Sequence, residues 1–192
     1  MTKTIITSIL LTIVLTVLVG IIYPLAMTGI AQLVFPKQAN GSLIYRGDSV
    51  IGSELIGQQF ASATVFRSRP SAAGNGYDAA NSGGTNLGPT SKALRDRITH
   101  DRDSLRKLYP ELPDTLPSDM LTTSASGLDP DISPANALDQ APIVAKATNL
   151  PLDTVLALVR KHIQGRDLGF LGEPHVNVLE LNLDLLKHIP KQ

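Results

Sequence analysis

Hydrophobic and polar positions divide this chain sharply near residue 36. From Thr4 to Phe35 no Asp, Glu, Lys, Arg or His occurs, and Ile5 to Tyr23 alone, at ~1.5 Å rise per residue, covers a hydrocarbon core of ~30 Å. A cleaved leader would carry an apolar stretch of roughly 7–15 residues and then a small-x-small site. The run here is longer, and Gly29-Ile30-Ala31 is a poor cleavage site, so an uncleaved anchor is predicted. Pro24 removes one helical hydrogen bond and crowds the preceding turn, which predicts a kink or restart there, with Leu25 to Phe35 leaving the bilayer as an apolar extension. Thr4, Ser8, Thr12, Thr16 and Gly20 recur every fourth residue. On a helix they form a small-residue stripe along which a second helix could pack, unless the hydroxyls merely bond back to carbonyls one turn earlier.

Past residue 36 the pattern becomes that of a single soluble domain, residues 37–192, of mixed α+β class. Leu43-Ile44-Tyr45 and Ser49-Val50-Ile51 flank Arg46-Gly47-Asp48, which predicts a hairpin with Gly47 at positive φ. Thr64-Val65-Phe66-Arg67 reads as a strand, and Pro70 to Pro89, with five Gly, two Ser and three Asn, as a long loop. Thr90 or Ser91 caps a helix to about Tyr109 with Leu94, Ile98, Leu105 and Leu108 on one face, and Pro110 to Pro117 is a connector. Ser133-Pro134 starts a helix to about Thr148 in which Pro142 predicts a kink. Another helix begins near Pro151, buries Leu152, Val155, Leu156, Val159 and Ile163, and ends at Gly165. In the tail, Val176 and Val178 alternate with one parity and Leu179, Leu181 and Leu183 with the other, so a bulged strand or a strand passing into a helix is expected.

Composition narrows what such a domain does. The first 36 residues carry one charge, Lys3; the other 156 carry 16 Lys+Arg against 17 Asp+Glu, a net −1. With eight Phe+Tyr and no Trp, there is neither a basic face nor a stacking platform for nucleic acid. The absence of cysteine excludes disulfides and thiolate chemistry. The positive-inside count is close to a tie, Lys3 and the amino terminus against Lys37 and Arg46; a short tail ahead of the first apolar segment favours a cytoplasmic N-terminus and an extracytoplasmic domain.

Candidate chemistry is sparse. Gly74-Asn75-Gly76-Tyr77-Asp78-Ala79 has dinucleotide-loop spacing but follows Arg67-Ser68-Arg69-Pro70 rather than a buried strand. His100, His162, His175 and His188 lack paired ligand spacing, so no metal site is expected. Asp129/Asp131 and Asp101/Asp103 do not single out an acid/base pair, and no catalytic residue is assigned.

Several strings, in order along nearly the whole chain, closely resemble the C subunit of the Kdp-type potassium-transporting ATPase, the KdpC family. They are Tyr23-Pro24-Leu25 with Thr28-Gly29; Gly52 to Gln58, containing Gly57 and Gln58, with Phe60; Phe66-Arg67-Ser68-Arg69-Pro70-Ser71; Ser82-Gly83-Gly84-Thr85-Asn86-Leu87-Gly88-Pro89; Ser126-Gly127-Leu128-Asp129-Pro130 with Ile132-Ser133-Pro134; and Glu173-Pro174 with Val176-Asn177-Val178-Leu179. Where the family often has a basic residue after the mid-helix proline, Ile143 follows Pro142. The resemblance implies a single-span, non-catalytic subunit of the bacterial inner membrane, assembled with a channel-like potassium-binding subunit, a P-type ATPase subunit and a small single-span peptide. Potassium is then handled by the partners. It also implies a raised ATP affinity of the catalytic subunit and ATP as a ligand, although an outward-facing domain cannot reach cytoplasmic ATP. Arg67, Arg69 and the Ser82–Pro89 loop are the expected partner contacts over the channel's outer mouth. For Gly57, Gly88, Pro89, Asp129, Ser133 and Asn177 the preferred roles are turns, caps and a satisfied buried amide. The rivals are a membrane-anchored extracytoplasmic hydrolase and a free-standing binding module.

Overall fold

The computed structural model describes residues 2–189 and divides into two compact units, residues 1–53 and 54–192. In the first, α1 (Thr2–Val17), a π-helical turn (Leu18–Ile22) and α2 (Tyr23–Val34) follow one another without a break. Together they make one 33-residue helix long and apolar enough to cross a membrane. At ~1.5 Å per residue it exceeds a ~30 Å core. The helix continues without a restart at Pro24: in the π turn Tyr23 N–H reaches back to the Leu18 carbonyl, a wider register that accommodates a proline following it. None of its residues is buried. A short turn, α3 (Pro36–Ala39), leads to a hairpin of β1 (Leu43–Arg46) and β2 (Ser49–Ser53), with Gly47 at φ 60° as its turn requires.

The second unit rests on a three-stranded antiparallel sheet in the order β3 (Asp131–Ile132), β5 (His175–Asn177), β4 (Ile163–Gln164). Three helices complete its core: α6 (Pro134–Thr148), α7 (Leu152–His162) and α8 (Val178–His188), α6 packing on α7 and α7 on α8. Their apolar stripes converge on Ala137, Ala141, Val144, Val155, Val159, Leu181 and Leu185, closed by Ile132 and Val176 from the sheet and by Phe66. Ser133 caps α6 by accepting the Asn136 N–H at 3.1 Å, and Pro142 lies within that helix without ending it. The parity break at 178/179 is a strand passing into a helix, with Asn177 accepting the Glu180 N–H at 3.1 Å. Ahead of this core lie α4 (Lys92–Leu108), capped by Ser91, and the short α5 (Ser118–Leu121).

Three expectations are corrected. Residues 64–67 form no strand but a turn and irregular chain, because the backbone groups of Phe66 and Arg67 are taken by side-chain amides. The helix after Pro151 stops at His162, since Ile163 and Gln164 join the sheet opposite Val176 and His175. Leu152, at its first turn, is 43% exposed rather than buried.

Candidate functional site

The segment carrying Arg67 and Arg69 is held without a ladder partner. Asn182 of α8 accepts the Phe66 N–H (2.7 Å) and donates to the Phe66 carbonyl (2.9 Å). Gln140 of α6 accepts the Arg67 N–H (2.7 Å) and donates to the Arg67 carbonyl (3.1 Å) and to Asn136 Oδ1 (2.8 Å). Asn136 in turn donates to Asp119 (2.9 Å), which also receives the Ser133 N–H (2.7 Å) and hydroxyl (3.0 Å). Two side-chain amides thus do what a neighbouring strand would do, because buried backbone groups must be paired.

Arg69 is committed inside the domain. It forms an ion pair with Asp129 at 2.8 Å and donates to the carbonyls of Thr122 and Thr123 at 3.4 and 3.3 Å. Asp129 Oδ1 accepts the Asp131 N–H at 3.0 Å, and Ser68 donates to the Gln58 carbonyl at 3.0 Å. The glycine-rich loop is fastened to the 124–129 segment: Ser82 Oγ and the Gly83 N–H both donate to the Ser126 carbonyl, at 3.0 and 2.8 Å, and Ser71 donates to the Gly127 carbonyl at 2.6 Å. Backbones approach closely here. A Cβ on Gly127, which sits at φ 68°, would lie 2.6 Å from the Gly83 oxygen. One on Gly57 would lie 2.5 Å from the Asp129 oxygen, and the Gly57 N–H donates to the Leu128 carbonyl at 2.8 Å. Beyond Gly84 the loop opens to solvent, with Asn86 at φ 53° and Asn86, Leu87, Gly88 and Pro89 exposed.

Between this segment, α4 and α6 lies a groove of about 470 Å³, walled by Phe60, Val65, Pro70, Leu105, Leu108 and Ile143 among others. Leu108, placed on the apolar face of α4 by its spacing, is 62% exposed because it borders this groove. Among the described residues the Arg67 guanidinium is its one cationic lining group, 5.9 Å over the Tyr109 ring and bonded to the Tyr109 hydroxyl at 3.3 Å. Burial pushes the Tyr77 hydroxyl up in pKa, with Arg67 pulling the other way, and that hydroxyl donates to the Arg69 carbonyl. Asp101, also lining the groove, pairs with Arg97 at 3.5 Å.

A triphosphate needs several convergent cations or N–H groups, whereas among the described residues the groove is lined by one cation, Arg67, and one carboxylate, Asp101, which is itself paired with Arg97. The Gly74–Ala79 turn spends its N–H groups internally: Gly76 and Asp78 donate to the Ala73 carbonyl and Tyr77 to Ser71 Oγ. The Asp78 side chain occupies the concavity, where a Cβ on Gly74 would meet its Oδ2 at 2.8 Å. The Ser71 hydroxyl, bonded to Gly127, Ala73 and Tyr77, is a structural hub.

The remaining expected residues lie elsewhere. Asn177 joins β5 to α8 and donates to the Glu54 carbonyl at 2.8 Å. Glu173 takes both oxygens to Arg166 at 2.8 and 2.7 Å across the β4–β5 connection. Among the histidines, His175 stands 3.9 Å from Asp131, whose carboxyl is raised by burial, and His162 stands 3.1 Å from Asp184. Asp184, buried in α8, also binds Lys161 at 2.8 Å and Lys187 at 3.2 Å. Hydrogen bonds from Lys161 and His162 hold its carboxyl well below the usual carboxylate range. On the membrane helix, Thr12 donates to the Ser8 carbonyl at 2.9 Å, and a Cβ on Gly20 would meet only Thr16 Cγ2, at 3.8 Å. Sequence reasoning passed over Asp119, Asn136, Gln140, Asn182 and Asp184. The available signal was polar residues at helical spacing on otherwise apolar faces.

An apolar helix that nothing in its own unit covers, and an α/β domain that spends its polar side chains on holding irregular backbone in place, define a small α/β domain with one candidate membrane span. The family model described as K+-transporting ATPase, c chain (KdpC) matches residues 5–187. The potassium-transporting ATPase KdpC subunit of Koribacter versatilis is 54% identical over 185 residues, spanning 96% of this chain and 95% of that protein. The KdpC subunit of Bradyrhizobium diazoefficiens is 54% identical over 190 residues (93% and 94%), and that of Caulobacter vibrioides 53% over 176 residues (91% and 88%). The chain belongs to the KdpC family.

Proposed function

We propose that this chain is the non-catalytic, single-span subunit of an ATP-driven potassium import complex, holding together a channel-like potassium-binding subunit, a P-type ATPase subunit and a small single-span peptide. The observation that carries the reading is the bare helix: 33 residues, none buried. Lipid gives helices no hydrophobic reason to associate, so a face lined by Thr4, Ser8, Thr12, Thr16 and Gly20 allows the close approach that a neighbouring span would use. The N-terminus lies in the cytoplasm and the domain outside, over the channel-like subunit's outer mouth. There Arg67 and the exposed part of the Ser82–Pro89 loop make the contacts, and Arg69 keeps that loop in place. Potassium passes through the partners, and this role does not require the chain itself to hold ATP. Any rise in the catalytic subunit's ATP affinity is transmitted through assembly and is read as the KM for ATP of the complex with and without the chain.

The test is to solubilise the membrane in mild detergent and purify through a tag on this chain. The channel-like and ATPase subunits are expected to copurify; recovery of the chain alone overturns the reading in favour of a free-standing module. Protease added to intact spheroplasts should cut the domain, and full protection would overturn the orientation and with it the contact over the outer mouth.

A further inference from the structure

The connection between β4 and β5 is built like a plug. The Asp167 and Leu171 backbones exchange two hydrogen bonds, both at 2.9 Å, extending the hairpin, and Arg166 clamps Glu173 through both carboxylate oxygens at 2.8 and 2.7 Å. At its tip, Leu168 and Gly169 take φ of 52° and 83° and Gly172 takes 76°. The Phe170 N–H donates to the Asp167 carbonyl at 3.2 Å, so positive φ at Leu168 and Gly169 is what this tight hairpin turn requires. The turn presents apolar side chains to solvent: Leu168 is 83%, Phe170 68% and Leu171 49% exposed, and none of the three belongs to the core cluster. Contiguous exposed apolar residues of this kind mark an interaction surface.

The charges around the tip indicate what would cover it. Residues 165–174 carry Arg166, Asp167 and Glu173; Arg166 and Glu173 neutralise one another, which leaves Asp167 and a net −1. Loops that insert into a bilayer surface surround their apolar residues with spare Lys and Arg that meet anionic headgroups. This one has none to spare. Its rigid convex shape suits a preformed concave surface, as a single protruding anchor in a protein interface does.

We propose that the Leu168–Leu171 tip is a docking plug that inserts into an apolar groove, neutral or weakly positive at its rim, on the extramembrane surface of a partner subunit of the same ATPase. The proposal rests on the complex-subunit reading above. Loss of a central anchor of this kind weakens binding about 10–100-fold.

The test uses the full chain, tagged and coexpressed with the other ATPase subunits. Wild type is purified beside Leu168→Ser/Phe170→Ser, and each chain alone is melted in detergent as a check on folding. Copurification of partners with wild type, and their loss at least tenfold from the double variant, supports the plug. If wild type recovers partners and the double variant recovers them equally, the plug is overturned while the subunit reading stands. If wild type recovers none, both fall. Because the double variant could misfold, the chain is also made with a photo-reactive benzoylphenylalanine at position 170 and irradiated within the purified complex. A covalent adduct to a partner subunit supports the proposal. Adducts only to lipid, only to a second copy of this chain, or to nothing overturn it.

Discussion

Replacing Asn182 by leucine tests the claim that side-chain amides substitute for a strand. Asn182 is 2% exposed and Phe66 fully buried, so no water stands ready to replace the two bonds between them, at 2.7 and 2.9 Å. Leucine is close in size, so the variant removes the amide without opening a large cavity. It leaves one buried N–H and one buried carbonyl unpaired, each costing ~1–3 kcal/mol, partly offset by the apolar side chain. The net expectation is a loss of about 3 kcal/mol, or a fall in Tm of roughly 10 °C for a domain of this size. Urea unfolding of the detergent-solubilised full chain in a Tyr23→Phe/Tyr45→Phe background, followed by the fluorescence of Tyr77 and Tyr109, reads the domain separately from the membrane helix. Asn182→Asp is the companion variant. At neutral pH it keeps an acceptor for the Phe66 N–H but sets a carboxylate against the Phe66 carbonyl. On acidification the protonated carboxyl again offers one donor and one acceptor, so this variant should gain on wild type as pH falls. A loss below ~0.5 kcal/mol for Asn182→Leu, with unchanged proteolysis around Arg67, would refute the reasoning.

Other positions give sharper local outcomes. Gly127→Ala meets both a positive φ and an oxygen at 2.6 Å, so the 71–84 loop should detach and become sensitive to chymotrypsin after Tyr77; an unaltered digest would show that the crossing is looser than described. Ser133→Ala removes the cap of α6 and one Asp119 bond, a loss of ~1–2 kcal/mol by denaturant titration, whereas Ser133→Asp should be worse because it faces the Asp119 carboxylate. Asp184, held ionised by Lys161 and His162, has its folded pKa below the unfolded value of about 3.9. Its contribution is therefore present above that value and lost as pH falls through the folded one; Asp184→Asn should lower stability at pH 7 and flatten the acid limb, and an unchanged limb would assign acid unfolding to other carboxylates.

The local chemistry of this fold is legible in the sequence, while its long-range polar fastening is not. Ser91 and Ser133 are caps because short polar side chains before apolar-periodic runs have few other uses, and Asn177, expected as a satisfied buried amide, also caps α8. The parity break at 178/179 marks a real change of element. Thr64 to Arg67 misleads because β-branched and aromatic residues fit any half-buried extended chain. What settles its conformation is a pair of amides 116 and 73 residues away in sequence. Ile163 and Gln164 misled in the opposite direction: the apolar face of α7 runs on into them, and only the pairing with β5 ends the helix. At the membrane helix, Pro24 predicts an interruption because the sequence does not reveal that a wider π turn ahead of it would keep the helix whole.

The strings that carry the family resemblance therefore divide by physical role. Gly57, Arg69, Ser71, Gly83 and Gly127 pack one irregular segment against another. The Asn86–Pro89 stretch and the Leu168–Leu171 tip are the reverse: each is exposed, and neither belongs to the core cluster. Variants of the first group should lower the domain's stability and its assembly together, in proportion. Variants of the second should weaken assembly at constant stability. A plot of copurified partner against denaturant midpoint would place the two groups on different lines, and a single common line would mean that the exposed surfaces act only through the fold.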